Sequence, residues 1–167
     1  MRRKIISFIS ATILGLSGAV IAPIATTSAP ASAQTLMDVC LTSSSGYCWT
    51  THGVGNQLTI ENSGYTDFYL ESASHSAFKI HPSGSSGHCV TAHSNPNDVT
   101  IENCSAGNTQ QEWYGTIWNS GCTLETYFNI DKNAVVYNNA NGKPVWEDPN
   151  NSPGAWKTWN AHAFAAC

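Results

Sequence analysis

The sequence predicts an all-β domain that is built from three repeats of about 40 residues each and is stapled by disulfide bonds. Three observations lead to this prediction: a 15-residue segment that occurs twice, short apolar runs punctuated by glycine and asparagine, and six cysteines. After residue 33, no apolar pattern with the helical spacing i, i+3, i+4, i+7 continues for about ten residues. Short strands separated by turns are therefore expected throughout.

The repeated segment is the strongest of these observations. Residues 48–62 and residues 89–103 carry the same amino acid at eight of fifteen positions, at a constant shift of 41. About one match would be expected by chance. The chain therefore contains a real internal repeat.

Residues 1–33 are typical of a secretory signal peptide. Met1-Arg-Arg-Lys4 is basic, an apolar run follows to about Ile24, and the segment ends in Ala31-Ser-Ala33. A membrane anchor is the alternative, although glycine, serine and proline interrupt the apolar run. We expect cleavage after Ala33, which leaves residues 34–167 as a single secreted, extracellular domain.

The charge of residues 34–167 restricts the class of partner. This part has four lysines, no arginine and eleven acidic residues, a net charge of −7. Lysine and arginine supply the attraction to phosphate, so nucleic acid and insertion into anionic membranes are disfavoured. The absence of arginine also removes the fork that clamps a phosphate or carboxylate substrate.

All six cysteines lie in the predicted mature chain, as expected of disulfides in an exported protein. A hairpin around residues 43–46 predicts Cys40–Cys48, two strands bracketed by cysteines predict Cys89–Cys104, and Cys122–Cys167 follows by elimination. Metal sites usually need closer cysteine pairs. The sequence therefore predicts neither a metal site nor a cofactor.

Apolar residues alternate with polar ones in the repeated segments, as in half-buried strands. Leu58 and Ile60 alternate with polar neighbours, and Val99 and Ile101 repeat the pattern. A third copy aligns residues 134–138 and 144–148 with the middle copy at a shift of 45. The predicted units are residues 36–76, 77–118 and 119–167, in a closed threefold arrangement that hides sheet edges.

The middle unit resembles the ricin-type β-trefoil lectin family. The resemblance rests on Cys89-Val-Thr-Ala92, on Val99-Thr-Ile-Glu-Asn-Cys104 and on the Gln-x-Trp motif Gln111-Glu-Trp113. It implies a β-trefoil fold and carbohydrate binding. The family's sugar-pocket positions fall on Thr91, Glu102 and Gln110 in the middle unit, on Thr50 and Glu61 in the first, and on Val136 and Glu147 in the third. Glu61 and Glu102 stand where the family has a stacking aromatic, so the pockets are atypical.

The alternation also predicts polar recesses on the surface. Thr91 and His93 point to one side of their strand, and Thr100 and Glu102 point to the same side of the next. The first unit repeats this set as Thr50, His52, Thr59 and Glu61. Such a set binds ligand hydroxyls, binds a metal weakly, or is a hydrogen-bonded surface pair that fixes adjacent strands.

Six tryptophans are too many for so small a core to hide completely. We expect Trp113 in the core, with the preceding glutamine satisfying turn backbone groups. Trp146, beside Glu147, is the best candidate for an exposed platform on which a sugar ring stacks.

No catalytic motif is present: the chain has no Gly-x-Ser-x-Gly elbow, His-Glu-x-x-His or phosphate loop. The glutamates repeated by the units would lie on different lobes, too far apart for a glycosidase pair. The sequence therefore predicts a secreted, non-enzymatic module that binds extracellular glycan or polysaccharide. The alternatives are a protein-binding trefoil such as a protease inhibitor, acting through residues 81–87 or 138–144, and a small extracellular enzyme.

Overall fold

The computed structural model describes residues 35–118, 121–128, 130, 132–137, 140–148, 150 and 153–160. Within these residues the chain forms strands and two short 3-10 turns but no α-helix, so the all-β prediction is confirmed. The strands are β1 (Cys40–Leu41), β2 (Ser44–Thr50), β3 (Thr59–Glu61), β4 (Phe68–Ser72), β5 (Phe78–Pro82), β6 (His88–Ala92), β7 (Val99–Asn103), β8 (Trp113–Trp118), β9 (Gly121–Thr126), β10 (Asn133–Val135), β11 (Lys143–Pro144) and β12 (Trp146–Asp148).

These strands form three antiparallel sheets. The orders are β1-β2-β3-β11, β12-β10-β9-β8-β5-β4 and the separate hairpin β6-β7. Among the described residues, no helix is long and apolar enough to cross a membrane. The predicted signal peptide, residues 1–33, lies outside the described residues.

Three equivalent residues are joined by a ring of backbone hydrogen bonds. The Leu58 amide donates to the Val99 carbonyl (2.7 Å), and the Val99 amide donates to the Val145 carbonyl (3.4 Å). The Val145 amide donates to the Leu58 carbonyl (2.8 Å), which closes the ring. All three side chains are fully buried. The same local geometry therefore recurs three times around one point of the core.

The register of the third hairpin differs from the sequence alignment. Val145 takes the place of Val99 in the ring of backbone hydrogen bonds, so the second strand is shifted by 46 residues. Val135 pairs with Trp146 where Thr91 pairs with Thr100, so the first strand is shifted by 44 residues. The predicted uniform shift of 45 is wrong by one residue on each strand, in opposite directions.

Aromatic side chains fill the centre of the core around Trp49. Its ring contacts Phe68, Trp113 and Trp159 edge-on, with centroids 5.9, 6.3 and 5.3 Å away. Trp113 Nε1 donates to the carbonyl of Val90, and Trp159 Nε1 donates to the carbonyl of Ala134, both at 2.9 Å. Trp159 therefore makes the same contact with the third hairpin as Trp113 makes with the middle hairpin, an equivalence that the sequence did not identify.

Two of the three predicted disulfides are confirmed. Cys40 is bonded to Cys48, and the same two residues pair in the β1-β2 ladder. Cys89 is bonded to Cys104. Cys122 is also disulfide-bonded, and its predicted partner Cys167 lies outside the described residues.

Candidate ligand-binding surface

The repeated hairpins carry the same three-residue hydrogen-bonded chain. In the first hairpin, His52 Nε2 lies 2.8 Å from Thr59 Oγ1, and that hydroxyl donates to Glu61 Oε1 at 3.0 Å. In the second hairpin, the corresponding distances from His93 to Thr100 and from Thr100 to Glu102 are 2.9 and 2.9 Å. We call these two sets the His-Thr-Glu chains. The structure thus brings together the predicted histidine and glutamate through a threonine hydroxyl.

The hydrogen-bond directions fix the tautomer of each histidine. The threonine hydroxyl has one proton and donates it to the glutamate, so it accepts from the imidazole. Nε2 therefore carries the proton, and in the neutral ring Nδ1 is an acceptor. The histidine and glutamate side chains are between 20% and 49% exposed. Each chain therefore presents an imidazole nitrogen and a carboxylate to solvent while it ties two strands together.

The other predicted residues of the recesses face different surroundings. Thr50 and Thr91 are buried, and Thr91 Oγ1 donates to the Cys89 carbonyl (3.2 Å) and accepts from Gln111 Nε2 (3.0 Å). Gln110 is half-buried on a 3-10 turn. Thr91 therefore links its own strand to the Gln111 side chain.

The third hairpin has a different surface at the same positions. By the observed register, Tyr137 takes the place of His93, Trp146 that of Thr100, and Asp148 that of Glu102. Tyr137 is 42% exposed and Trp146 is half-buried, whereas Asp148 is 2% exposed. Asp98 and Trp146 form a backbone bridge at the border of this surface. We call Tyr137 and Trp146 the aromatic pair.

Glu147 is not part of the surface, contrary to its predicted place in a pocket. It pairs with Ala134 and occupies the position of Ile60 and Ile101, with 1% of the residue exposed. Neither carboxyl oxygen has a hydrogen-bond partner among the described atoms. Burial raises the pKa of Glu147 to about 8, Lys132 opposes this shift, and Glu125 reinforces it. The side chain is thus mostly protonated at neutral pH.

A second site was not foreseen from the sequence. Glu112, which lies between Gln111 and Trp113, is 1% exposed and its Oε2 is 2.7 Å from His75 Nδ1. His75 has a left-handed backbone (φ 57°) and stacks on Tyr127 with centroids 3.9 Å apart. Glu112 lines a cavity of 370 Å³ together with Glu71, Ser72, Ala73, Ser74, Lys79, Ala106 and Gly107. The partners are 37 residues apart in the chain, so only the fold brings them together.

The two loops considered for protein binding are only partly available as loops. His81 and Pro82 belong to β5 and are buried, which leaves residues 83–87 as the turn. Residues 138 and 139 lie outside the described residues.

No protein-family model matches the chain, and no curated protein matches it. Solved structures do match. The chain is similar to part of a mosquitocidal holotoxin, with a TM-score of 0.66, 15% identity, 77% of this chain covered and 17% of that chain covered.

The chain is also similar to two cytolethal distending toxins. The match to the toxin from Actinobacillus actinomycetemcomitans has a TM-score of 0.61 and 17% identity, and covers 74% of this chain and 88% of that chain. The match to the toxin from Haemophilus ducreyi has a TM-score of 0.60 and 18% identity, and covers 74% of this chain and 80% of that chain. At these identities the matches show a shared all-β fold.

Proposed function

We propose that this protein is a secreted β-trefoil that binds extracellular carbohydrate and has no enzymatic activity of its own. The ring of hydrogen bonds among Leu58, Val99 and Val145 supports the trefoil, because a threefold axis requires equivalent contacts between three units. The buried tryptophans Trp113 and Trp159, with equivalent bonds to backbone carbonyls, support it further. The disulfides support an oxidising, extracellular location.

The aromatic pair is the observation that carries the carbohydrate proposal. By the register of the strands, Tyr137 and Trp146 occupy the positions of His93 and Thr100, whose side chains lie 2.9 Å apart, so both aromatic side chains belong to the same face of the third hairpin. An aromatic face beside polar groups matches a sugar ring, which has an apolar face and a rim of hydroxyls. Asp98, which forms a backbone bridge with Trp146, is half-buried, and its Oδ1 accepts from Gln57 Nε2 at 3.3 Å.

The His-Thr-Glu chains are the second element of the proposal. Each offers Glu61 or Glu102 oxygens as acceptors for sugar hydroxyls, and a histidine Nδ1 as a further acceptor. Without an aromatic face, such a site binds weakly. Several weak sites on one rigid domain gain affinity for a polymeric glycan through effective concentration.

The experiment is a binding screen of residues 34–167 against a glycan array and insoluble polysaccharides, followed by titration of any hit. We expect Trp146→Ala to weaken binding about tenfold, the loss of about 1.4 kcal/mol of stacking. Tyr65→Ala is the matched control, because Tyr65 is 44% exposed and lies outside this surface. A Glu61→Gln/Glu102→Gln double variant measures the contribution of the His-Thr-Glu chains.

Absence of binding to every glycan and polysaccharide would refute the carbohydrate proposal. Equal glycan affinity of Trp146→Ala and Tyr65→Ala would show that the aromatic pair is not the binding site. Inhibition of secreted proteases by the same sample would favour the protein-binding alternative instead.

A further inference from the structure

The Cys89–Cys104 disulfide lies against a buried histidine. His81 Nδ1 is 3.6 Å from the sulfur of Cys104 and 3.9 Å from the sulfur of Cys89. Elsewhere in the part of the chain that the structure describes, no other three metal-ligating side chains come within 4.8 Å of one another.

The imidazole of His81 is oriented with Nδ1 toward the sulfurs. Its Nε2 lies 3.1 Å from Glu71 Oε2, although the ring N–H does not point straight at that oxygen. Nδ1 therefore faces both sulfurs, while Nε2 lies on the side of the Glu71 carboxylate. A neutral imidazole has one N–H, and a proton on Nε2 leaves the Nδ1 lone pair for the sulfur side.

The backbone holds all three residues in place independently of the S–S bond. Gln111 brackets Cys104, because its Oε1 accepts from the Ser105 amide (2.8 Å) and its Nε2 donates to the Asn103 carbonyl (3.0 Å). The Cys104 amide also donates to the Gly87 carbonyl at 2.9 Å. Cleavage of the disulfide would therefore leave the Cys104 backbone where it is.

The other two residues are fixed by strands. Cys89 pairs with Glu102 in the β6-β7 ladder. His81 pairs with Tyr69 in the β4-β5 ladder, and its ring stacks on the Tyr69 ring with centroids 4.8 Å apart.

We propose that reduction of the Cys89–Cys104 disulfide converts this corner into a zinc site with Cys89, Cys104 and His81 Nδ1 as ligands. Two thiol molecules supply the two electrons and two protons and are oxidised to one disulfide, while Cys89 and Cys104 become thiols. Zinc binding then releases both protons, because zinc binds thiolates. Glu71 is a positioning residue, equivalent to the carboxylate that usually orients a zinc-bound histidine.

The distances fit this ion. With Zn–S bonds of about 2.3 Å and Zn–N bonds of about 2.0–2.1 Å, the sulfur–nitrogen edge of a tetrahedral site is about 3.6 Å. The observed nitrogen–sulfur distances are 3.6 and 3.9 Å, so only the sulfurs must separate, which side-chain rotation allows. Cys104 is partly exposed, so the fourth position is open to water.

The test uses the chain reduced by a phosphine. Zinc binding is measured in competition with a chromophoric chelator, and the absorption spectrum of the cobalt(II) form is recorded. We expect one tight zinc and the charge-transfer bands of thiolate-bound tetrahedral cobalt, and neither in the oxidised protein. Cys40→Ser/Cys48→Ser should bind as the parent does, whereas Cys89→Ser/Cys104→Ser should not bind. His81→Ala should weaken zinc binding by more than about 100-fold, because loss of an outer-shell partner alone weakens metal binding by about 10–100-fold. His75→Ala, at an exposed histidine outside this cluster, is its control.

Far-UV circular dichroism and tryptophan fluorescence accompany each titration, because reduction also opens the other disulfides. A reduced chain that stays folded and binds zinc, or that zinc refolds, supports the site. A chain that takes up no zinc in either state overturns it. Equal zinc affinity in Cys89→Ser/Cys104→Ser, or in His81→Ala, also overturns it.

Discussion

At the scale of single residues, Glu147 places a carboxyl group where the other two hairpins have an apolar side chain. The equivalent positions in those hairpins hold Ile60 and Ile101, both buried. A carboxyl group at such a position loses its hydration, and Glu147 finds no hydrogen bond there among the described atoms. The fold tolerates it because the group can keep its proton.

This residue makes the stability of the protein depend on pH. Its pKa rises from 4.5 when the chain is unfolded to about 8 when it is folded. Below pH 4.5 both states hold the proton and the full stability is present. As the pH rises through the folded pKa, this stability is lost. The loss is at most about 5 kcal/mol, because each unit of difference between the folded and unfolded pKa corresponds to about 1.36 kcal/mol.

We therefore expect the free energy of unfolding to fall between pH 5 and pH 8, measured by urea denaturation followed through tryptophan fluorescence. Glu147→Gln removes this slope, and Glu147→Ile also stabilises the protein at pH 8 because it introduces the apolar residue found at this position in the other two hairpins. Glu102→Gln, on the surface, should keep the parental slope. A slope that persists in Glu147→Gln would show that another group titrates.

At the scale of elements, Gln111 shows how the Gln-x-Trp segment works. Its side chain binds backbone on both sides of Cys104 and also the hydroxyl of Thr91, while Trp113 enters the core. One glutamine thus joins β6, the end of β7 and the turn before β8. A buried amide with all these partners is costly to remove, because the freed backbone groups stay buried.

Replacing Gln111 with alanine should lower the free energy of unfolding by about 2–3 kcal/mol, since it leaves several buried polar groups unpaired. The adjacent Gln110 provides the control, because its side chain has no hydrogen bond among the described residues. Gln110→Ala should change stability by less than about 0.5 kcal/mol. Thermal and urea unfolding measure both, and equal effects would contradict the bracketing role of Gln111.

Elements were predictable where one simple force determines them. Leu58 and Ile60 were placed correctly because burial of one sheet face imposes a period of two. Cys40 and Cys48 were paired correctly because a short hairpin brings them together. The third hairpin was misaligned because the connection between its two strands is two residues longer than in the middle hairpin, and no uniform shift can describe that.

The candidate site was predictable only in part, because it depends on side-chain directions and on the true register of the strands. His93 and Glu102 repeat in sequence, so their proximity could be expected, but the role of Thr100 between them depends on side-chain directions. The aromatic pair required the true register, and the contact of His75 with Glu112 joins residues without any sequence signal. Such contacts between distant segments depend on the whole fold.

At the scale of the whole molecule, the end of the described chain closes the structure onto its beginning. Trp159 forms bridges with both Leu41 and Cys122. The Thr42 amide donates to the Thr158 carbonyl at 2.9 Å, and the Asn160 amide donates to the Cys40 carbonyl at 2.6 Å. Three segments that are far apart in sequence therefore meet at one place, where β9 begins.

Gly121 lies at this junction and tests the closure directly. A β-carbon there would overlap the Thr42 hydroxyl and lie 2.9 Å from Thr158 Cβ, so the first and last segments would have to separate. We expect Gly121→Ala to cost about 1–3 kcal/mol, the usual penalty for overpacking. Gly87→Ala is the control, because a β-carbon at Gly87 meets no atom within 4 Å. If both variants unfold at the same urea concentration, the junction is loose. If only Gly121→Ala is destabilised, contact between the two ends of the described chain contributes to the stability of the whole fold.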